Sequence, residues 1–325
     1  MLSKGEGSNL TPNLLLTLVL SLGYVIRDLE LSDMEQVNDI CSTTWGGNDY
    51  IPEVLPHWIE SPENIVRGLF EKELLLSICT LQIVTSKERA YISGLRARDK
   101  RRREGHGRDL AVNLISTARE RNLKHLLYLT MNTNEASAGF AENLGFSVLE
   151  KYGSFHLFTP FTPHPTPSPV FIPVTVKAER LMQVIDSSPT LVPTHFIPFD
   201  FQFYEKTLAN LQSISENTDF RLVIDEDGQP GGLYYGSPLR EDRGEKRTVY
   251  VVYTTNRTIF VDMMARIIDE SESRGATRVT FLMGPNATQW VNDLGYTDSE
   301  LGAWPGDHSK RRLLLYEFRL EEERS

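Results

Sequence analysis

The sequence predicts an α/β chain made of two copies of one mixed-sheet (α+β) domain. Three observations carry that expectation. Strand-like and helix-like patterns follow one another in the same order twice. A proline-dense stretch separates the two runs. Residues of the first run recur in the second at a constant spacing of 150. The length of 325 residues suits two domains. With 40% hydrophobic and 24% charged residues, the composition excludes a disordered or collagen-like chain.

The first run opens on a leader, residues 1–23, read as poorly anchored or disordered. Its apolar stretch 14–22 is too short for a bilayer, which needs about 20 residues. No A-x-A-like cleavage site follows, and the stretch merges into Tyr24-Val25-Ile26-Arg27, so a secretory signal is disfavoured. The first domain is expected over 24–159. After a first strand, Ser32 with Glu35 reads as a capping box ahead of Met34, Val37 and Ile40. Segments 65–70, 74–84 and 91–97 are β-rich and closely spaced, the pattern of an antiparallel meander. Over 107–121, Leu110, Ala111, Leu114, Ile115 and Ala118 share one helical face. A strand over 126–131, a short helix over 137–144 and a strand over 147–158 complete the run.

Prolines at 160, 163, 165, 167, 169 and 173 make 160–173 an extended connector that should not continue a sheet. The second domain is expected over 174–325. Strands over 221–225 and 232–235 flank the Asp227-Gly228 turn. A strand at 249–253, a helix at 259–268, and strands at 279–283 and 313–320 follow. Phe260, Met263, Met264 and Ile267 share a face of that helix. At the spacing of 150, Leu110 falls on Phe260, Leu114 on Met264, and Leu144-Gly145-Phe146 on Leu294-Gly295-Tyr296.

The 34 basic against 44 acidic residues give a net charge of −10, which argues against nucleic acid as a partner. Two cysteines, Cys41 and Cys79, make neither a disulfide framework nor a tetrahedral metal site. No metal and no membrane span are expected, and a reducing, cytoplasmic setting fits.

The chemistry is expected in the first domain. The segment from Gly94 to Arg108 joins a strand to a helix and carries Gly105 and Gly107 among basic residues. Glycines there let the backbone turn and let N–H groups face one point. The helix adds the positive end of its dipole, and the result suits a diphosphate. The basic run Lys100 to Arg103 also has the composition of a nuclear-localisation signal. Its place beside the glycines favours phosphate binding. His106 is expected to be solvated.

Arg102-x-x-Gly105-x-Gly107 resembles the (Q/R)xxGxG acetyl-CoA loop of the GNAT acyltransferase superfamily. Asn134-x-x-Ser137, Phe140 and Leu144-Gly145-Phe146 are similar to its second signature, NxxAxxxYxxxGF. Within the superfamily, Asn48-Asp49-Tyr50, Trp58-Ile59-Glu60-Ser61-Pro62 and Gly94-Leu95-Arg96 resemble vertebrate histidine N-acetyltransferases and their relatives. The resemblance implies tandem GNAT-like domains, the second degenerate. It implies acetyl-CoA as co-substrate, held by Leu95, Arg96, Ala97, Arg102, Arg103, Glu104, Gly105, His106, Gly107, Arg108, Asn134 and Phe140. Backbone at Leu95 and Ala97 would pair with the pantetheine arm, and the Leu95 N–H would hold the thioester oxygen as charge develops on it.

The sequence departs from the signature at one place: Ala141 stands where the family's tyrosine protonates the leaving thiolate. Tyr128 and Tyr152 are alternative donors. In the second domain Thr255 and Arg257 fall where Gly105 and Gly107 stand, so that half should bind no coenzyme. The acceptor amine needs a base or a water chain, and Glu71, Glu73 and Asp49 are candidate bases. Glu71 and Glu73 are expected on one strand face. The loop from Trp45 to Tyr50 places Trp45, Asp49 and Tyr50 as acceptor-site candidates. Arg67 and Arg96 are cations available to a carboxylate. The expected reaction is transfer of acetyl to a small-molecule amine, a free amino acid such as histidine. The alternatives are a protein or peptide acceptor, or a non-catalytic coenzyme-binding protein.

Overall fold

The computed structural model describes residues 23–47, 49–84, 88–161, 166–242, 244–294 and 310–320. The leader up to residue 22 and the Gly295-Tyr296 match lie outside the described residues. The chain forms two compact units. Among the described residues, the first takes those up to 130, 135–149 and 315–320, and the second takes those within 131–134, 150–294 and 310–314.

In the first unit the chain runs β1 (Tyr24–Asp28), α1 (Met34–Cys41), α2 (Ile51–Glu60), β2 (Asn64–Glu71), β3 (Leu74–Ile83), β4 (Arg89–Ala97), α3 (His106–Glu120), β5 (His125–Met131) and α4 (Glu135–Asn143). Its sheet has the order β1-β2-β3-β4-β5, followed by the last strand of the chain, β15 (Arg312–Arg319). The first three pairings are antiparallel. The β4–β5 pairing is parallel, with α3 as its crossover. On α3 the predicted apolar face is buried at Leu110, Ala111, Leu114, Ile115 and Ala118. Val37, Ile40, Ile51 and Leu55 of α1 and α2 close a core over Val66, Phe70, Leu75 and Ile78 of β2 and β3.

The second unit holds most of β6 (Ser147–Phe158), then β7 (Ile172–Val176), α5 (Ala178–Ser187), β8 (Phe196–Phe199), β9 (Gln202–Glu205), α6 (Leu208–Ser215), β10 (Phe220–Ile224), β11 (Pro230–Gly236), β12 (Arg240–Asp242), β13 (Glu245–Thr254), α7 (Arg257–Ser273), β14 (Arg278–Met283) and α8 (Pro285–Thr288). Its sheet has the order β7-β10-β11-β13-β14-β6, with β12 beside β13. This is the strand order of the first unit, again with one parallel pair, β13–β14. The duplication is therefore structural.

The units do not divide at the proline stretch. In each sheet the sixth strand comes from outside its own run of sequence. β6 pairs with β14 over Gly153–Phe158, and residues 150–158 lie in the second unit, while residues 315–319 of β15 lie in the first. There the Leu320 N–H donates to the Lys124 carbonyl at 2.9 Å, and Glu317 meets His125 at 2.9 Å and Arg89 at 3.4 Å.

Three further expectations are corrected. Pro173 does continue a sheet: it pairs with Val223 in β7. β7 is the edge strand, where a missing N–H costs nothing if it faces outward. The cap ahead of α1 is not Ser32 with Glu35. Glu30 and Asp33 form a reciprocal capping box around a 3₁₀ turn, and Arg27 grips Asp33 with two bonds of 2.7 Å. Glu73 does not share a strand face with Glu71, because β2 ends at Glu71 and Lys72 turns the chain at φ 55°. Helices α2, α5 and α6 and the β8–β9 hairpin were not anticipated. Among the described residues no helix is long and apolar enough to cross a membrane.

Residues 23–159 produced alone would leave the outer edge of β5 without β15, and a bare edge invites association. The fragment is expected to aggregate and to lack a cooperative thermal transition, and residues 310–320 appended through a flexible linker should give a monomer that melts cooperatively. A monomeric fragment with a cooperative melt would contradict this topology.

Candidate active site

The site begins with a bulge. β3 and β4 pair in register up to Thr80 with Ser93 and resume at Ile78 with Arg96. Gly94 and Leu95 thus both stand opposite Cys79. A bulge of this kind bends its strand and increases the local twist. Gly94 sits at φ +66°, and a Cβ there would come within 2.9 Å of the Trp58 ring and 3.1 Å of Ile51 on α2. Only glycine satisfies both the turn and the packing.

Bending β4 opens the sheet. β4 and β5 pair only over Arg89–His125, Ala90–Leu126 and Tyr91–Leu127. Past those three rungs the strands diverge, and the backbone of Leu95 and Ala97 has no strand beside it on that side. A wedge with an unpaired strand edge can take an extended ligand as an added strand.

At the mouth of the wedge stands the loop 98–105. Arg98 anchors it: its N–H donates to the Leu76 carbonyl at 2.8 Å, and its guanidinium reaches the Leu75 carbonyl and Asp39. Arg101 ties the loop to β2 through Glu71 at 3.0 Å and braces it internally through Glu104 at 2.7 Å. Arg102 closes on Asp99 at 2.9 Å. Arg103 at φ 68° and Gly105 at φ 94° then curl the backbone into α3.

The curl leaves five successive N–H groups, of residues 103–107, with no hydrogen-bond acceptor among the described residues. The next two N–H groups, of Arg108 and Asp109, turn back to the Gly105 carbonyl. Lys100, Arg103 and Arg108 make no ion pair among the described residues. Open N–H groups, a helix N-terminus and unpaired cations form a cradle for a diphosphate. Gly107 lies within the first turn of α3 and does not turn the chain. A Cβ there would touch the Leu95 side chain at 3.4 Å.

His106 is not solvated as expected. It is buried, edge-on to Tyr24 with ring centroids 5.1 Å apart, and its Nδ1 has no partner among the described residues. The first helical residue points inward beneath the open amides.

Next to the bulge is a polar cluster built on Arg96. Its Nε and Nη2 grip the buried Asp49 carboxylate at 2.5 and 2.8 Å, and its Nη1 donates to the Leu95 carbonyl at 2.9 Å. Asp49 also accepts the Ile51 N–H at 3.1 Å, which starts α2. Burial pushes the Asp49 carboxyl up, but the hydrogen bonds and charge of Arg96 outweigh it and hold the carboxyl below its ordinary range. Burial, with the Asp49 charge beside it, pushes the Cys41 thiol up to about 12. Tyr50 lies under the Arg96 guanidinium at 5.5 Å and edge-on to Trp58.

The predicted residues therefore separate. The cradle residues, Leu95, Arg96, Asp49 and Tyr50 are brought together in the first unit. Glu71 belongs to the cradle: its bond to Arg101 holds its carboxyl below the ordinary range, which makes it a weak base. Glu73 is exposed in the β2–β3 turn. Arg67 is occupied by Asp28 at 3.1 Å, Asn113 at 2.6 Å and Thr117 at 2.7 Å. Trp45 lies in a 3₁₀ turn over Thr44–Gly47, and its side chain is outside the described residues. Asn134 precedes α4, in a stretch grouped with the second unit. Phe140 packs against Tyr128. Cys79 is buried, and its thiol is pushed up to about 12 by burial, as an inert core residue should be. Among the described residues no three His, Cys, Asp or Glu side chains could hold a metal. The sequence reading missed Arg98 and Arg101 as anchors of the loop. Both sit in a basic run whose composition does not separate the anchoring arginines from the free ones.

The second unit has closed both features. β13 and β14 stay paired over six rungs, from Arg247–Arg278 to Val252–Met283. Asn256 caps α7 with its own side chain, accepting the Thr258 and Ile259 N–H groups at 2.7 and 3.3 Å. No wedge opens there, and the helix start is already satisfied.

Asp49→Asn would leave the Arg96 guanidinium buried without its counter-charge, at an expected cost of about 3 kcal/mol in urea unfolding. Asp49 is held low in the fold, so the pair contributes fully above about pH 4 and loses its contribution as pH falls through the folded-state value. The gap between wild type and variant should narrow in that acid window. Equal stability at pH 7 would contradict the pairing.

A model of the acetyltransferase (GNAT) family matches residues 34–146. Among solved structures, the chain is similar to a GCN5-related N-acetyltransferase from Sphaerobacter thermophilus, with a TM-score of 0.61 and 12% identity over 91% of this chain and 95% of that one. It is similar also to a tandem GNAT protein from the clavulanic acid biosynthesis pathway, with a TM-score of 0.56 and 11% identity over 91% of this chain and 98% of that one. No curated protein matches the sequence at a significant level. Identities this low speak for fold alone, and the fold agrees with the bulge, wedge and cradle described above. Residues 34–146 match the acetyltransferase (GNAT) family model, and the chain as a whole has the fold of the tandem GNAT protein it is similar to.

Proposed function

We propose that the chain is an acetyl-CoA-dependent N-acetyltransferase acting on the amino group of a small molecule, a free amino acid such as histidine, by direct transfer in a ternary complex. The observation that carries this reading is the row of five open amides, 103–107, at the mouth of the β4–β5 wedge. The cradle takes the pyrophosphate, with Lys100, Arg103 and Arg108 adding charge. The unpaired edge at Leu95 and Ala97 takes the pantetheine arm. An N–H of that edge then meets the thioester oxygen, and one such donor stabilises the developing oxyanion by about 3 kcal/mol.

The acceptor nitrogen attacks beside the Asp49–Arg96 pair. Asp49 is held ionised by two bonds to Arg96, and Glu71 by Arg101, so both are poor proton acceptors. The amine's proton leaves to water. Tyr50 and Trp58 form an edge-to-face aromatic pair beside Arg96 and the bulge, and an aromatic wall there suits a ring-bearing acceptor such as histidine. The second unit binds no coenzyme.

Two measurements test this. Coenzyme release with acetyl-CoA and a panel of free amino acids and short peptides should give turnover with histidine and none with peptides. Turnover confined to peptides would contradict the acceptor class. Gly105→Asp keeps a residue tolerant of positive φ but adds a negative charge beside the pyrophosphate. It should weaken coenzyme A binding by tenfold or more in calorimetry without shifting the thermal midpoint by more than a few degrees. Unchanged affinity would contradict the cradle.

A further inference from the structure

Ala141 is buried on α4 at the place where the family signature carries a tyrosine. A phenol nevertheless reaches that face of the helix from the sheet. Tyr128 follows Leu127, the last residue of β5 paired with β4, so it stands where the wedge begins. Its Oη shares a hydrogen bond of 2.7 Å with Ser137 Oγ. Ser137 lies one turn before Ala141 on the same face of α4. Phe140 and Phe146 fix the Tyr128 ring, with centroids 6.3 and 6.1 Å away. Burial raises its hydroxyl above the ordinary phenol range and keeps it protonated at neutral pH. Tyr152 is committed elsewhere. In the second unit its hydroxyl donates to the Phe196 carbonyl at 2.8 Å and meets Glu150. Tyr24 stands at the loop beside His106 and Arg101.

We propose that Tyr128, oriented by Ser137, donates the proton taken up by the departing sulfur, so that β5 supplies the acid that α4 lacks. This rests on the acetyl-transfer reading above. As the carbon–sulfur bond breaks, its electron pair stays on sulfur, and the Tyr128 O–H bond gives its proton to that sulfur. The phenolate recovers a proton through the Ser137 hydroxyl, which is resupplied by water. The proton lost by the amine goes to solvent, so the sum is amine plus thioester giving amide plus thiol.

The test reads the sulfur directly and needs no acceptor. Coenzyme A and desulfo-coenzyme A are titrated calorimetrically at pH 9, where a thiol of pKa about 8.5 is largely charged. The wild type is expected to prefer coenzyme A by about tenfold, the worth of a hydrogen bond to a charged group. Tyr128→Phe should abolish that preference while leaving desulfo-coenzyme A affinity unchanged, which also shows that the fold and the cradle are intact. Ser137→Ala should lower the preference part-way. With a turned-over acceptor, Tyr128→Phe should reduce kcat about 100-fold without raising the KM for acetyl-CoA. A Tyr128→Phe protein that keeps the wild-type preference overturns the assignment, as does a wild type that binds both ligands equally. A wild type that binds neither overturns the coenzyme reading itself.

Discussion

The first unit depends on one extra residue in β4. Because Gly94 and Leu95 together face Cys79, the strand bends and pulls away from β5 after three rungs. Without that divergence there would be no unpaired edge at Leu95 and Ala97. The second unit shows the contrast. There the corresponding parallel pair holds for six rungs, and the helix that follows is capped by its own asparagine. One fold thus occurs in an open and a closed form in a single chain. The difference lies in a bulge and in whether a side chain or open amides finish a helix.

Holding the bulge open requires packing from α2. The bare Gly94 lets Trp58 and Ile51 approach closely, and the Asp49–Arg96 pair pins the loop before α2 to the end of β4. Such a buried, doubly bonded pair contributes geometry as much as stability. It fixes where Tyr50 and Trp58 stand and leaves the Leu95 carbonyl occupied. The same economy holds at the loop, where Arg98 and Arg101 are spent on anchoring. Lys100, Arg103 and Arg108 remain for an anion.

What was legible in the sequence was local. The apolar face of α3, the meander of β2 to β4 and the glycine-bearing strand-to-helix junction are all set by neighbours within a few turns. What was not legible was set by partners far apart in sequence. Asp49 and Arg96 are 47 positions apart, and Glu71 and Arg101 are 30 apart. No periodicity marks either pair. Asp49 as a free base and Arg96 as a free cation were reasonable from composition, but each neutralises the other. Pro173 read as a sheet breaker because its missing N–H matters everywhere except on an edge. The assignment of β15 to the first unit has no local signal, since its apolar run would suit either sheet. His106 was misread because a histidine between glycines in a basic loop gives no hint that its ring turns under the helix.

The central claim is that the open amides of the α3 junction grip the diphosphate of coenzyme A. It is tested most directly by following backbone amide resonances of a labelled protein as coenzyme A is added. The account predicts that residues 103–107 shift strongly and slow their exchange with solvent, together with Leu95 and Ala97. Large shifts confined to the α7 junction around Asn256, with 103–107 unmoved, would contradict it.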